Sequence, residues 1–446
     1  MDNIIQGNPT KTFFIEMITR DISIKDAILD LLDNSIDGAN IINSTSYQGL
    51  YIDITINKDV FIVKDNCGGF SLETAKKYAF RFGRPEDAPL SNGSVGRFGI
   101  GMKRALFKMG KKFEVETKTD KDHFQVKVDV DEWRKKTVSI IQNEKQTIVE
   151  DWDFTYENVT SNKDLSEKGT FIKVTDLFKE VSDLFERDEF KNSLRDDIER
   201  LLNLSLIKGI KITLNGQELK SKNIEIFKGD SHPYFYEGEK DGVRFKIIAG
   251  LGEVGKPAQS GWYIYCNDRL VLEADKTEIT GWGDRKKWHI DYAMFRGVVF
   301  LDAEKTEKLP LTTTKKGIDE TSKIYKFILS HMVNAMRGIT LFLKQITKLG
   351  DEANDYRNLL SEQEEKLSVV EMKTEKLSEK EKEATFVSPD IDLEKIAERK
   401  DCVRISYVVK KELADRVRDH SGTKSLKDLG LMTFNYYTRM EELDNE

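Results

Sequence analysis

Asp30, Asp33, Asn34 and Asp37 follow one another at i, i+3, i+4 and i+7, the spacing that puts four side chains on one face of a helix. Ala27, Ile28, Leu31, Leu32 and Ser35 fill much of the other side. One face therefore offers three carboxylates and an amide while the other packs. Such a face can gather Mg2+ and activate a water, and an ordinary solvated face seldom lies on so apolar a helix. A second constellation, Asp65-Asn-Cys-Gly68-Gly69, puts a carboxylate at the end of a short apolar run and two glycines after it. The glycines let the backbone approach a flat ligand, and the carboxylate can accept a hydrogen bond from an exocyclic amine such as that of adenine. A plain Asp-Gly turn has the same letters. Third, Gly93-Ser-Val-Gly96-Arg-Phe98-Gly99-Ile-Gly101-Met102-Lys103-Arg104 opens a helix with glycines and two cations. Backbone amides, a helix N-terminus and Lys/Arg together make a phosphate cradle. The order of its glycines, and the lack of a strand directly before it, exclude a dinucleotide-binding loop. Gly169-Thr170, opening Phe171–Val174, is the fourth element and says nothing alone.

The elements that must position these residues are legible as patterns. Residues 22–40 read as one helix, capped by Ser23 or Asp21 and ended by Gly38. Residues 51–56 alternate and 60–63 form a short buried run, so both predict strands. Residues 82–101 read as a polar, Gly-rich loop before a helix from Met102. Further strands are predicted over 113–117, 124–130, 138–142 and 170–174, and a helix over 188–207. Asn215-Gly216 suits a type I′ hairpin turn after the strand at 210–214. A second strand-rich region includes 243–248, 262–266 and 298–301, and a helix is predicted over 318–348.

The four elements, in this order and spacing, resemble the N, G1, G2 and G3 boxes of the GHKL ATPases: gyrase, heat-shock chaperone, histidine kinase and MutL. The resemblance covers residues 12 to about 205. It implies an α+β architecture, with an N-terminal Bergerat α/β sandwich whose mixed sheet carries helices on one face. It implies Mg2+–ATP as cofactor, with Asn34 ligating Mg2+ and Asp30 polarising the attacking water. Asp65 binds the adenine amine, Thr170 completes that network, and Asp33, Asp37, Gly69, Phe98 and Met102 line the nucleotide. Gly96, Gly99 and Gly101 belong to the hinge of a lid over residues 81–95, and Lys103 resembles the phosphate-contacting lysine of the MORC branch. Two residues depart from the pattern. Asp30 stands where the family usually has Glu, which bears on hydrolysis more than on binding. Cys67 stands at the usual first glycine of the second box, and Gly68 and Gly69 can compensate.

All five histidines follow the first box, which argues against a histidine kinase. Gly261-Trp-Tyr-Ile-Tyr265-Cys-Asn267-Asp-Arg269 resembles the tyrosine-x-asparagine-x-arginine strand of an S5-like α/β transducer domain. Leu311-Thr-Thr-Thr-Lys315-Lys316 resembles the loop that sends a lysine to the γ-phosphate, with Lys315 the better register and Lys316 the fallback; an exposed Thr/Lys loop has the same composition. Residues 8–21 resemble the strap that such proteins swap across a dimer. These features favour the branch holding MORC proteins, MutL, gyrase B and the heat-shock chaperones. The domains expected are 1–205 (ATP-binding), 206–350 (transducer), 351–390 (charged helix or linker) and 391–446 (helical terminal module).

With 39% hydrophobic and 33% charged residues, the 446-residue chain can build two or three cores. It has no apolar run long enough for a membrane span and its start is unlike a secretion signal. Three scattered cysteines suit neither a disulfide scaffold nor zinc and point to the cytoplasm. The net charge of -7 gives no bulk support for nucleic-acid binding. Residues 351–384 are Glu/Lys-rich with Leu360, Leu367, Val370 and Leu377 near heptad spacing, so a coiled coil and a solvated helix both stay open. The end of the chain resembles a ribbon–helix–helix protein, but its basic and acidic side chains balance, so DNA contact, dimerisation and a plain helical cap remain alternatives. The expected function is an ATP-gated dimeric clamp on DNA, RNA or a protein. The alternative is a scaffold ATP-binder regulating an effector protein with little hydrolysis.

Overall fold

The computed structural model of the protein describes residues 7, 9–83, 100–142, 145–160, 164–221, 223–254, 256–283, 285, 289–312, 317–363, 365–374, 385–390, 408–423, 425–441 and 443. The chain forms two compact units, 1–390 and 391–446.

In the first unit, α1 (Lys11–Arg20) and α2 (Ile24–Ile42) precede the hairpin β1 (Tyr51–Ile56) and β2 (Phe61–Asp65). The short α3 (Leu72–Thr74) and then α4 (Gly101–Met109) lead into β3 (Gly110–Lys118) and β4 (His123–Asp129). After α5 (Val130–Lys135) comes a separate hairpin, β5 (Thr137–Gln142) with β6 (Lys145–Glu150), then β7 (Glu157–Asn158) and β8 (Gly169–Leu177). Three helices follow, α6 (Lys179–Glu186), α7 (Asp188–Leu201) and α8 (Asn203–Ile207), before β9 (Lys211–Leu214) and β10 (Gln217–Glu218). Eight strands make one sheet in the order β10-β9-β1-β2-β8-β3-β4-β7. Only the β1–β9 pair is parallel.

Strand alternation decides which face of this sheet meets the helices. Phe113, Val115, Phe124, Val126, Ile172 and Val174 are buried against Ala27, Ile28, Leu31 and Leu32 of α2 and Ala105 and Leu106 of α4. Each of the larger aliphatics contributes about 1.5–3 kcal/mol on burial. Ser23 caps α2, its Oγ accepting from the Asp26 amide at 3.2 Å. Gly38 does not end that helix, which runs on to Ile42. A Cβ at Gly38 would strike the Cys67 carbonyl, so glycine serves close approach there. The segment expected as a strap is helical and held on its own chain. Lys11 Nζ donates to the Trp133 carbonyl at 2.5 Å, and Phe14 packs edge-on against Phe82 and Trp152.

The first sheet extends past the expected boundary at 205/206. Asn215 (φ 50°) and Gly216 (φ 77°) turn β9 back onto β10 as the Asn-Gly pair predicts. Beyond it, β11 (Glu225–Phe227) precedes a five-stranded sheet built from β12 (Tyr234–Lys240), β13 (Val243–Leu251), β14 (Gly261–Cys266), β15 (Arg269–Asp275) and β16 (Phe295–Asp302), in the order β12-β13-β16-β14-β15. The long helix α9 (Lys323–Thr347) packs on β13 and β16.

The described residues of 351–390 form neither a coiled coil nor one solvated helix. They form α10 (Ala353–Gln363), β17 (Lys366–Ser368) and α11 (Val369–Thr374). β17 pairs with β11, and Leu367, Val369 and Met372 join a core with Ile226, Ile248 and Phe300. Leu360 and Leu367 therefore serve this fold rather than a helical seam, while Leu377 lies outside the described residues.

The second unit shows two helices, Lys411–Ser421 and Leu426–Met440. Gly422 (φ 70°) ends the first, and Ser425 caps the second at the Asp428 amide, 3.1 Å away. The strand expected before them falls almost wholly outside the described residues, and Val408 to Lys410 are not in a strand. No helix among the described residues is long and apolar enough to cross a membrane.

Candidate functional site

One end of the site, around Asp65, is built by two neighbouring strands. Asp65 ends β2 and sits opposite Thr170 on β8. Its carboxylate is 3% exposed and accepts three hydrogen bonds. Oδ1 accepts from the Cys67 amide at 2.9 Å and the Thr170 amide at 3.2 Å, and Oδ2 accepts from Ser35 Oγ at 2.7 Å. Burial pushes the Asp65 carboxyl upward, and these three donors pull it back. Gly69 lies beside it at φ 64°. A Cβ there would come within 2.5 Å of the Lys118 carbonyl, 2.7 Å of the Gly169 carbonyl and 2.8 Å of Thr117 Oγ1. Only glycine fits this approach. Cys67 is buried and faces inward, burial holding its thiol far above the ordinary range. Gly68 and Gly69 supply both left-handed positions, so cysteine in the glycine position leaves the turn intact.

The other end, around Asp30 and the start of α4, is organised differently. The four-residue face of α2 is divided. Asn34 is exposed, Asp37 is half-buried, and Asp30 and Asp33 are buried in ion pairs with arginines from elsewhere. Asp30 Oδ2 meets Arg104 on α4 at 2.5 Å. Asp33 is turned away to Arg269, the first residue of β15 in the second sheet. Gly101 opens α4 over Asp30, and a Cβ on it would lie 3.3 Å from Asp30 Oδ2. Among the described residues no side chain caps the start of α4, where first-turn amides suit an anion. Met102 packs against the core. Lys103 points inward: its Nζ donates to the Ala79 carbonyl at 2.7 Å and the Arg81 carbonyl at 2.6 Å. Burial pushes that amine down to about 7. Gly96, Phe98 and Gly99 lie outside the described residues.

The second sheet gives each residue of its Tyr-x-Asn-x-Arg strand a task. Tyr265 Oη accepts from Asn203 of α8 at 2.9 Å. Asn267 and Asp268, both at positive φ, make the tight turn into β15. Asn267 holds Ala303 through a 3.0 Å bond from its amide and a 3.2 Å bond to its carbonyl. Arg269 completes the series at Asp33. Lys315 and Lys316 lie outside the described residues. On either side of them, the Thr312 amide donates to the Gly317 carbonyl at 3.0 Å, and Ile318 is buried.

Sequence reasoning missed Arg104 as a partner of Asp30, Arg269 as a partner of Asp33, and Ser35 as a donor to Asp65. Ser35 carried a signal, since it follows Asn34 on a helix facing β2.

Residues 22–171 match the family model of histidine kinase-, DNA gyrase B- and HSP90-like ATPases. This part of the chain is a GHKL-type ATPase domain, a class that binds ATP. The match ends within β8, so α6 to α8 and the whole second sheet lie beyond it. No curated protein matches the chain.

Proposed function

We propose that the chain binds Mg2+–ATP at this site, hydrolyses it, and uses it to gate a homodimeric, MORC-like clamp that closes on nucleic acid or a protein partner in the cytoplasm. The observation that carries the reading is the Asp65–Ser35–Thr170 network beside Gly69, an acceptor and a backbone approach shaped for a flat base with an exocyclic amine. Asp65 takes that amine, with Thr170 completing the contact. Asn34, exposed on α2, is the Mg2+ ligand, and bound Mg2+ neutralises phosphate charge. Gly96 to Gly101 hinge the lid, Lys103 steadies the segment before it, and Lys315 reaches the γ-phosphate from the second sheet. Asp30 is the general base. To act it must exchange Arg104, and a triphosphate at the start of α4 is the anion that draws the guanidinium away. Phe13 and Met17, exposed on α1, give that helix an apolar face for the partner copy.

Light scattering of the full chain tests the clamp. A non-hydrolysable ATP analogue should double the mass, and deleting residues 1–20 should prevent this. A mass independent of nucleotide refutes it.

A second reading has its own observation. Asp30 is one methylene shorter than the family's usual Glu and is held by Arg104. A nucleotide-gated scaffold with little turnover, regulating an effector protein, fits that arrangement. A wild-type ATPase rate separates the two.

A further inference from the structure

The face of the first sheet turned away from α2 and α4 carries a cluster that nucleotide chemistry does not use. Because side chains alternate along a strand, Val115 and Thr117 of β3 face the helices while Glu114 and Glu116 point the other way. Asp164, on the stretch leading into β8, approaches them. Carboxylate oxygens of Glu114, Glu116 and Asp164 lie within 4.8 Å of one another. Glu114 has a cation beside it, Lys127 Nζ at 3.6 Å from its Oε1.

Glu116 is the unusual member. It is 0% exposed, the most buried carboxylate of the three. Its Oε1 meets His123 Nε2 at 2.9 Å, and its Oε2 meets no donor. Gln125, its cross-strand partner on β4, also has a buried Oε1 with no donor, its Nε2 being committed to Glu157 at 2.9 Å. Buried acceptors without donors are rare because each forfeits its hydration. Two of them side by side, next to two further carboxylates, ask for a cation rather than for another hydrogen-bond donor.

We propose that Glu114, Glu116 and Asp164 bind a hard divalent cation of the calcium class. The ligands are oxygens, with the imidazole turned to Glu116, which disfavours zinc and copper. Two ligands of one ion lie no further apart than twice the metal–oxygen distance. That limit is about 5 Å for Ca2+, and these carboxylate oxygens all lie within 4.8 Å of one another. The ion would pin the stretch before β8 onto β3 and β4. Glu116 is also one residue from Thr117, whose Oγ1 accepts from the Phe70 amide at 2.9 Å beside Gly69. The cation therefore stiffens the strand beneath the adenine end, without belonging to the nucleotide site.

Equilibrium dialysis of the full, nucleotide-free chain against Ca2+, with thermal unfolding in parallel, tests this. Wild type should hold one Ca2+ per chain and unfold at higher temperature as Ca2+ rises. Glu116→Gln should lose at least tenfold in affinity together with the thermal shift, while Asn34→Ala keeps both. If Glu116→Gln does not fold, Asp164→Asn, at a less buried position, carries the same expectation. Absence of Ca2+ binding by wild type, or unchanged affinity in the folded variants, overturns the site. Loss of binding in Asn34→Ala overturns it too, by moving the ion to the nucleotide. Mg2+ binding as tightly as Ca2+ overturns the assigned class.

Discussion

The two ends of the nucleotide site are prepared in opposite ways. At the proposed adenine end, Asp65 on β2 already accepts from two backbone amides, those of Cys67 and of Thr170 on β8, and from Ser35 of α2. At the catalytic end, Asp30 and Asp33 are each neutralised by an arginine from another element. A preorganised end binds without rearrangement. An end whose carboxylates are spoken for acts only after an exchange, and Arg269 makes one of those exchanges report to the second sheet. On the proposed function, recognition and turnover are separable, and variants should separate them.

The largest effect falls on Asp30. Asp30→Asn removes the proton acceptor while barely changing volume, and turnover should fall about 10²–10⁴-fold with nucleotide binding kept. Arg104→Gln sharpens the point. If the ion pair restrains Asp30, steady-state ATPase assays should show a faster variant. A rate unchanged in both variants would mean that Asp30 takes no part in hydrolysis.

Next comes the tie to the second sheet. Arg269→Ala removes the buried guanidinium from Asp33 and should cost about 3–5 kcal/mol, read by urea unfolding. Asp33→Leu with Arg269→Met should restore much of that stability while ATP turnover remains impaired. Recovery of both would make the pair a packing element only.

Asn34→Ala should weaken binding in Mg2+ and leave Mg2+-free ADP binding nearly unchanged, measured by titration calorimetry with and without chelator. Equal losses in the two conditions would remove Asn34 from the metal.

The smallest effect is a slope. Lys103 in the unfolded chain titrates near its ordinary 10.5, and burial brings the folded value to about 7. Between these the unfolded state binds the extra proton, so stability should rise with pH across that window. In Lys103→Met the rise should flatten. A slope the same in both proteins would place the amine in water.

Local patterns were what the sequence made legible. The i, i+3, i+4, i+7 face of α2, the strand ending at Asp65 and the Asn215-Gly216 turn are each written within a few residues, and each folds as its pattern demands. The partners of the acidic face were not legible. Arg104 and Arg269 stand 74 and 236 positions from Asp30 and Asp33, and no periodicity links residues that tertiary packing alone brings together. Lys103 and Arg104 both open the expected phosphate-cradle helix, with Lys103 the expected phosphate contact, yet neighbours on a helix point about 100° apart. One turns into the protein and the other to Asp30. The charge-dominated composition around residues 353–374 left a coiled coil and a solvated helix both open, while Leu367, Val369 and Met372 were enough to anchor the segment.

The central claim is that Asp65 forms a ready-made adenine site. Titration calorimetry of the full chain with a non-hydrolysable ATP analogue and with its GTP counterpart tests it most directly. Wild type should bind one ATP analogue per chain and discriminate against GTP. Asp65→Asn replaces an acceptor with a group that also presents donors, against two backbone amides. It should weaken the ATP analogue by about 10–100-fold, the equivalent of one or two buried polar groups left unpaired, and erase the preference. Unchanged affinity and unchanged preference in Asp65→Asn would contradict the account and place the base elsewhere.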